Sequence, residues 1–259
     1  MNKKAEKLLS MVQKPGRYTG GELNSVIKNP EDVDIRFAFC FPDTYEIGMS
    51  HLGMKILYSL LNKREDTWCE RVFAPWVDME ELMRKNDVPL FALESSDEIK
   101  DFDVIGFTLQ YELCYTNVLN MLDLAGVPVR SADRKSLTPL VIGGGPCVCN
   151  AEPIADFFDL TLPGEGEEVL NELMDLFKEY KKKGASKEEF LKAAAKIEGV
   201  YVPSFYEFSY NDDNTIKSVT PSNGAPERVK KRIISDLDTV FYPESFVVPF
   251  IAVSYTHLT

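Results

Sequence analysis

Short, almost wholly apolar runs alternate with amphipathic stretches through the first two thirds of the chain. The runs IRFAFCF (35–41), VPLFAL (88–93), DVIGFTLQ (103–110) and TPLVIGGGP (138–146) have the length and composition of buried strands. A strand that is apolar on both faces has to be covered on both faces, which is typical of parallel sheets connected by helices. The pattern therefore predicts an α/β fold with a mainly parallel sheet and helices on both faces.

Helical spacing fills the gaps between these runs. GMSHLGMKILYSLLNK, from Gly48, predicts one helix, and NVLNMLDLAGVPV predicts another that closes at Gly126, where glycine adopts a left-handed cap easily. DLTLPGEGEEVLNELMDLFKEYKKK predicts a short strand, a glycine turn and a long helix. Its final lysines, 181–183, complement the negative end of that helix.

The sequence pattern changes after residue 183. GASKEEFLKAAAKIEG predicts a short helix, and GVYVPSFYEFSYNDDNTIKSVTPS predicts a hairpin that turns at NDDN. The proline-punctuated stretch that follows is typical of a connector. We therefore predict an N-terminal arm at 1–34, the α/β domain at 35–183 and a small α/β connector at 184–253.

Net charge and composition restrict the kinds of partner and the location that we expect for the protein. The 259 residues include 41 acidic and 29 basic side chains, a formal net charge of -12, so nucleic acid is a poor partner. No stretch approaches the roughly 18 consecutive apolar residues of a membrane span, and the first residues lack the apolar core of a signal peptide. We expect a cytoplasmic protein whose five cysteines are free thiols.

Three glycine-containing loops each follow a predicted strand: FPDTYEIGMSHLG (41–53), VIGGGPCVCNAEP (141–153) and the loop within DLTLPGEGEEVL (159–170). Ligands of parallel α/β sheets bind beyond the carboxyl ends of the strands, so we expect these loops to converge on one edge. In the second loop, three consecutive glycines suit either a cofactor cradle or a tight turn with close packing.

Acidic residues in the third loop have two separate explanations. Glu167 and Glu168 stand in the first turn of the predicted helix, where they complement its dipole. Glu165 lies between Gly164 and Gly166, in the turn itself. Its carboxylate suits hydrogen bonds from a ligand hydroxyl or amide, and it suits equally well the anchoring of a neighbouring loop.

In this order and spacing, the three loops resemble the amino-terminal cobalamin-binding-like domain of radical S-adenosylmethionine (radical SAM) proteins. With KPGRYTGGELNSVIK (14–28) ahead of them, the chain resembles a family that fuses this domain to a radical SAM domain. The resemblance implies a Rossmann-like (flavodoxin-like) sheet and a bound cobalamin. It also implies a parent protein in which a radical SAM domain carries a 4Fe-4S cluster and S-adenosylmethionine and acts on an unidentified substrate.

The resemblance also implies the residues that contact the cofactor, with no catalytic residue and no metal ligand among them. They are Asp43, Thr44, Tyr45, Gly48, Thr108, Gln110, Gly143, Gly144, Gly145, Pro146, Gly164, Glu165 and Gly166.

One departure from the family pattern concerns cobalt. Many cobalamin-binding domains ligate cobalt with the histidine of D-x-H-x-x-G, whereas Asp43, Tyr45 and Gly48 read D-x-Y-x-x-G here. A phenol with a pKa near 10 is a poor cobalt ligand at neutral pH. His51 is out of register, and we expect it inside the following helix. The implied cofactor is thus held by loop shape and backbone, near Tyr45 and without a protein imidazole.

A second departure concerns the cluster. The C-x3-C-x2-C triplet of radical SAM domains is absent from residues 1–259, and SYTHLT (254–259) does not follow the family pattern. We expect a truncated chain with a non-family tail, His257 included, that does not cleave S-adenosylmethionine alone. The alternative is a vestigial module, without cofactor, that serves interdomain contacts or substrate recognition. A flavin or nucleotide site is a third possibility that rests on fold analogy.

Overall fold

A five-stranded sheet forms the centre of the computed structural model, which describes residues 3–249. The strand order is β2-β1-β3-β4-β5, and every pairing is parallel, so the predicted Rossmann-like sheet is confirmed. An antiparallel pair, β6-β7, stands apart from it. The strands are β1 Ile35–Phe41, β2 Thr67–Phe73, β3 Val104–Thr108, β4 Leu140–Gly144, β5 Leu160–Leu162, β6 Tyr206–Tyr210 and β7 Ile216–Pro221.

Helices cover both faces of the sheet, as the apolar strands require. Their bounds are α1 Lys3–Leu9, α2 Tyr45–Ser50, α3 Leu52–Lys63, α4 Val77–Lys85, α5 Tyr115–Leu124, α6 Gly166–Lys182 and α7 Lys187–Ala194. One core lies between the sheet and α1, α4 and α5, and the other between the sheet and α3, α6 and α7. Alternate residues of each strand serve the two cores: Ala38 and Cys40 belong to the first, and Phe37 and Phe39 to the second.

One predicted strand is wrong. Residues 88–93 are buried, but they contribute only an isolated bridge between Phe91 and Glu98 and no strand of the sheet. The edge strand is instead β2, TWCERVF, which sequence reasoning did not identify because Glu70 and Arg71 interrupt its apolar pattern. Both charged residues are nonetheless 0–1% exposed, since each is paired with an opposite charge.

The helix predicted from Gly48 is two helices. The chain bends at His51, whose φ of -80° and ψ of 118° are extended, so α2 ends at Ser50 and α3 begins at Leu52. Nδ1 of His51 accepts a hydrogen bond from the amide of Met54 at 3.1 Å and thereby caps α3. The expectation that His51 lies inside a continuous helix is wrong.

The remaining predicted elements are present. Gly126 closes α5 with a φ of 71°, and α6, α7 and the β6-β7 hairpin with its turn at 211–214 lie where the pattern predicts them. The residue boundaries of the arm, domain and connector stay predictions, and the predicted tail, 254–259, lies outside the described residues.

The N-terminal arm is bound to the sheet by polar contacts. Lys28 donates from Nζ to the carbonyls of Asn62, Arg64 and Thr67, which satisfies backbone oxygens at the end of α3 and the start of β2. The indole of Trp68 donates to the carbonyl of Val26 at 2.9 Å. The N-terminal arm therefore packs against α3 and β2.

Candidate functional site

The three predicted loops lie at the same edge of the sheet. They follow β1, β4 and β5, and parallel strands bring their carboxyl ends to one side. Beneath the second and third loops, a cavity of about 260 Å³ separates the sheet from α3 and α6. The lower residues of its lining, Phe37 and Ile142, are each 2% exposed, whereas Pro146 and Glu165 are exposed. The cavity therefore opens at the carboxyl edge.

Apolar side chains and glycines form most of the cavity wall. The sheet, α3, α6 and the second loop together supply its apolar side chains: Phe37, Phe39, Leu57, Ile142, Pro146, Leu162 and Leu170. Thr108 and Gln110, both implied by the resemblance, lie where β3 ends. A wall of this kind favours an apolar ligand with polar groups near the opening.

The three consecutive glycines do different things. A Cβ on Gly143 would meet the ring of Phe158 at 3.1 Å, on the far face of the sheet. Gly145 has a φ of +92°, and a Cβ there would lie 2.6 Å from the carbonyl oxygen of Leu109, so the turn requires glycine. Gly144 alone leaves open space, with no atom within 4 Å of its missing Cβ. The loop is thus a tight turn and a cavity wall at once.

Two further glycines bring the helices close to the cavity. A Cβ on Gly53 would approach Cε1 of His51 to 2.9 Å, so this glycine makes room for the imidazole. A Cβ on Gly166 would meet Leu57 at 3.3 Å where α6 passes α3. Close packing of the two helices thus defines the wall opposite the sheet.

Polar groups of the cavity gather near its opening. Because Nδ1 of His51 accepts the Met54 amide, the neutral imidazole carries its proton on Nε2. Burial lowers the pKa of His51, which favours this neutral form, although a hydrogen bond with Gln110 opposes the shift. Nε2 of Gln110 in turn donates to Oγ1 of Thr108 at 2.6 Å. These residues form a connected polar group on the β1 and β3 side.

The third loop holds a later segment of the chain. Gly164 has a φ of +106°, and a Cβ there would lie 2.2 Å from the carbonyl oxygen of Arg232. The amide of Glu165 donates to that oxygen at 3.1 Å, and its carboxylate accepts from the amide of Ile234. Of the two roles open to Glu165, the structure shows the anchoring of a neighbouring segment.

Tyr45 lies outside the cavity lining. Its hydroxyl donates to Oε1 of Glu22 at 2.7 Å, and its ring packs edge-on against Phe73 at 5.3 Å. Burial and the hydrogen bond to Glu22 raise the pKa of Tyr45 to about 12. Glu22 also binds Arg71 at 2.6 Å, and Arg71 binds Glu94 at 2.6 Å. The phenol thus joins the first loop to a buried charge network.

The other first-loop residues implied by the resemblance also lie outside the lining. Asp43 accepts the hydroxyl of Tyr111 at 2.9 Å and the amide of Thr44 at 2.7 Å. Gly48 packs under an aromatic ring, since a Cβ there would lie 2.2 Å from Phe73. These contacts stabilise the bend between β1 and α2.

The cavity also includes residues that sequence reasoning did not assign to cofactor binding. They are Phe37, Phe39, Gly53, Leu57, Gly106, Phe107, Ile142, Leu162, Glu167 and Leu170, together with His51. Most are ordinary core residue types, so their place at a cavity depends on packing between elements. The glycine of H-L-G at 51–53 was the available signal, because a glycine within a helical pattern usually has a packing reason.

The cysteines are free thiols, four of them buried and Cys149 exposed. Within residues 3–249, no three His, Cys, Asp or Glu side chains are grouped so that they could hold a metal ion. The same part of the chain has no helix with the length and apolar character needed to cross a bilayer.

Comparison with known proteins places the chain in a family. No solved structure matches it. An uncharacterised protein of Methanocaldococcus jannaschii is 26% identical over 220 residues, which covers 81% of this chain and 42% of that protein. The chain therefore spans less than half the length of this relative. The profile of the family described as radical SAM proteins, N-terminal, matches residues 53–203, more than half of the 259 residues. The chain thus belongs to the family of N-terminal regions of radical SAM proteins.

Proposed function

We propose that this chain is the corrinoid-binding part of a radical SAM protein, and that the cavity receives the nucleotide tail of cobalamin. The observation that carries the proposal is the open space beside Gly144, in an apolar cavity at the carboxyl edge of a parallel sheet. Cofactors of parallel α/β sheets occupy this edge. Because Gly144 has no side chain, the space beside it stays free for a ligand.

Size supports the tail as the part that enters. Drug-sized ligands occupy pockets of roughly 300 to 1000 Å³. A cavity of about 260 Å³ is too small for a corrin ring, but it suits a bicyclic heterocycle such as dimethylbenzimidazole. The ring itself would stay outside, over the edge of the sheet.

The polar parts of the tail have partners near the opening. The first amides of α6, at Gly166 and Glu167, have no side-chain cap and line the cavity. The second N–H of the Gln110 amide offers a further donor. Bound cobalamin would supply a cobalt centre able to carry a methyl group, while the chain's own residues bind and orient the tail.

No imidazole is proposed as a cobalt ligand. Tyr45 is bonded to Glu22, and its raised pKa keeps it a phenol at neutral pH. His51 uses Nδ1 as a helix cap. The residues therefore fit cofactor binding by the tail rather than by a protein ligand to cobalt.

The test is corrinoid binding by the chain and by Gly144→Val. Reduced cobalamin is added, unbound cofactor is removed by desalting, and absorption and electron paramagnetic resonance spectra are recorded. The expected result is stoichiometric retention by the unsubstituted chain, with loss of the nitrogen splitting of the benzimidazole and no new nitrogen splitting. Valine at 144 fills the open space, so its affinity should fall at least tenfold.

Gly16→Val is the matched control. Gly16 is exposed, has no atom within 4 Å of its missing Cβ and lies far along the chain from the cavity residues. It should bind corrinoid like the unsubstituted chain. Retention of cobalamin with its benzimidazole still on cobalt would contradict the tail proposal, and no retention at all would contradict corrinoid binding.

The parent protein is proposed to carry a radical SAM domain that follows this chain. Family membership and the greater length of the relative support this arrangement. In it, a 4Fe-4S cluster and S-adenosylmethionine belong to the following domain, and the substrate is bound by the two domains together. Neither cofactor is proposed for residues 3–249.

A second candidate function is an interdomain module without a cofactor. The observation that favours it is the commitment of Tyr45, Glu22 and Arg71 to one another, which makes the first loop structural. Exposed apolar side chains on the segments that follow β1, β2 and β3, including Ile47, Trp76 and Leu113, would then contact the following domain. Failure to retain any corrinoid would select this candidate.

A further inference from the structure

The polar and apolar side chains of the cavity lining lie in different parts of it, and this separation determines which ligand the cavity can bind. Polar side chains stand near the opening, at His51, Gln110 and Glu165, and the side chain of Thr108 joins them through Gln110. The apolar part of the lining is formed by Phe37, Gly106 and Ile142 of the sheet and by Leu57 and Leu170 of α3 and α6, which have no polar side-chain atoms.

The backbone of this part of the lining offers little more. The strands β3 and β4 pair in register there, Gly106 opposite Ile142 and Thr108 opposite Gly144, so their amides and carbonyls are used in the sheet. Since Gly106 and Ile142 also carry no polar side-chain atoms, the sheet wall of the cavity offers no hydrogen-bond partner to a ligand group at the inner end.

We infer that the site discriminates between corrinoids by their lower base, accepting dimethylbenzimidazole and rejecting adenine. The inference rests on the proposed function and goes beyond it by naming a ligand class. Dimethylbenzimidazole presents carbon and methyl groups at its distal end. Adenine presents an amino group and further ring nitrogens there, and each would lose its water without gaining a partner.

The size of the effect follows from unpaired polar groups. Leaving one or two of them buried without a hydrogen bond should weaken binding roughly tenfold to a hundredfold. Methyl groups, in contrast, gain contacts with Phe37, Leu57 and Ile142. The discrimination is thus set by the apolar lining of the cavity and not by the residues at its opening.

The test compares three ligands on the same chain: cobalamin, its analogue with adenine as the lower base, and cobinamide, which has no nucleotide tail. Dissociation constants are measured by titration calorimetry. The expected order has cobalamin bound at least tenfold more tightly than the adenine analogue, and cobinamide more weakly than cobalamin.

A substitution in the apolar lining checks where the selection occurs. Leu57 is half-buried on α3, so Leu57→Gln adds a polar group to the cavity with little strain, and Leu57→Met is the apolar control. Glutamine should reduce the preference for cobalamin at least threefold, whereas methionine should preserve it.

The outcomes separate the two proposals. Equal affinity for cobalamin and the adenine analogue, both above cobinamide, overturns the selection and leaves the corrinoid function standing. Equal affinity for cobalamin and cobinamide overturns the selection and removes the tail from the cavity. Absence of binding by all three ligands overturns the corrinoid function itself, and the selection with it.

Discussion

Tyr45 has a different role in the structure from the one that its position in the sequence motif suggests. In the sequence it takes the place of a cobalt-ligating histidine, but its hydroxyl donates to Glu22, which is also bound by Arg71. Burial alone would raise the pKa of Glu22, yet the hydrogen bonds and charge of Arg71 outweigh it and lower that pKa. Glu22 is therefore ionised at neutral pH, and Tyr45 is a hydrogen-bond donor to a charged acceptor.

Removing that donor should cost stability. Tyr45→Phe leaves the ring against Phe73 but takes one hydrogen bond from a partly buried carboxylate, so we expect a loss of about 1.5 to 3 kcal/mol in the free energy of unfolding. Tyr111→Phe is the matched control, because its hydroxyl donates to Asp43 from a ring that is 40% exposed. Urea unfolding compares the two. Equal losses would mean that the Glu22 contact has no special weight.

Among the elements, α3 depends on an unusual cap. Ser, Thr, Asp and Asn are the preferred N-caps, whereas α3 uses the imidazole of His51. Only the neutral ring can accept the Met54 amide at Nδ1. Since burial lowers the pKa of His51 in the folded state, its stabilising contribution is complete above the unfolded pKa near 6.5. That contribution is lost as the pH falls through the lower folded value.

The cap predicts a pH dependence that one substitution should remove. The unsubstituted chain should lose stability as the pH falls below about 6.5, and His51→Asn should flatten that part of the profile while keeping a cap. His51→Ala should flatten it too and lose about 1 kcal/mol at pH 8. Thermal unfolding at pH 8, 6.5 and 5 measures all three. An unchanged slope in His51→Asn would show that other groups titrate there.

The elements could be predicted wherever one physical rule dominated. Apolar runs on both faces predicted β1, β3 and β4. Helical spacing closed by a glycine predicted α5, and a long amphipathic pattern after a glycine turn predicted α6. The edge strand β2 escaped because burial of Glu70 and Arg71 depends on partners distant in sequence, Arg36, Glu22 and Glu94. Residues 88–93 have strand composition, but the fold buries them beside the sheet.

The candidate site could likewise be predicted only in part. The convergence of the loops follows from parallel strands, and the turn glycines stand out in the sequence. The cavity itself does not, since its inner wall is made of Phe37, Leu57 and Ile142, whose residue types fit any core. Whether facing elements meet or leave a gap is decided by packing across the α3, α6 and sheet layers, which no local pattern records.

At the scale of the whole molecule, residues 232–247 tie several elements together. This segment, the strap, starts at Arg232, which lies against Gly164 and pairs with Glu168 at 3.2 Å. It then follows α3, where Nζ of Lys63 lies over the ring of Phe241 and Nζ of Lys55 over the ring of Phe246. It ends on the N-terminal arm, where the carbonyl of Val247 accepts the amide of Asn24 at 3.2 Å.

Gly164 and Glu165 of the third loop line the cavity and also contact the strap. The inner side of the loop lines the cavity, and its outer side pairs with Arg232 and Ile234. A change that releases the strap should therefore alter the loop without touching the sheet. The amide of Arg232, which donates to the carbonyl of Pro163 at 2.9 Å, reports on that release.

Gly164→Ala provides the change. A Cβ there would lie 2.2 Å from the Arg232 carbonyl oxygen, and the φ of +106° adds backbone strain, so the strap has to move away. Gly184→Ala shares the positive φ, at +64°, but meets no atom within 4 Å, and it isolates strain from collision. Both should lose about 1 kcal/mol from strain. Only Gly164→Ala should speed amide hydrogen exchange at least tenfold at Arg232 and Ile234, whose amides pair with the third loop, while the sheet stays protected. Equal exchange in the two variants would mean that the strap is held by α3 and the arm, with its pairing to the third loop dispensable.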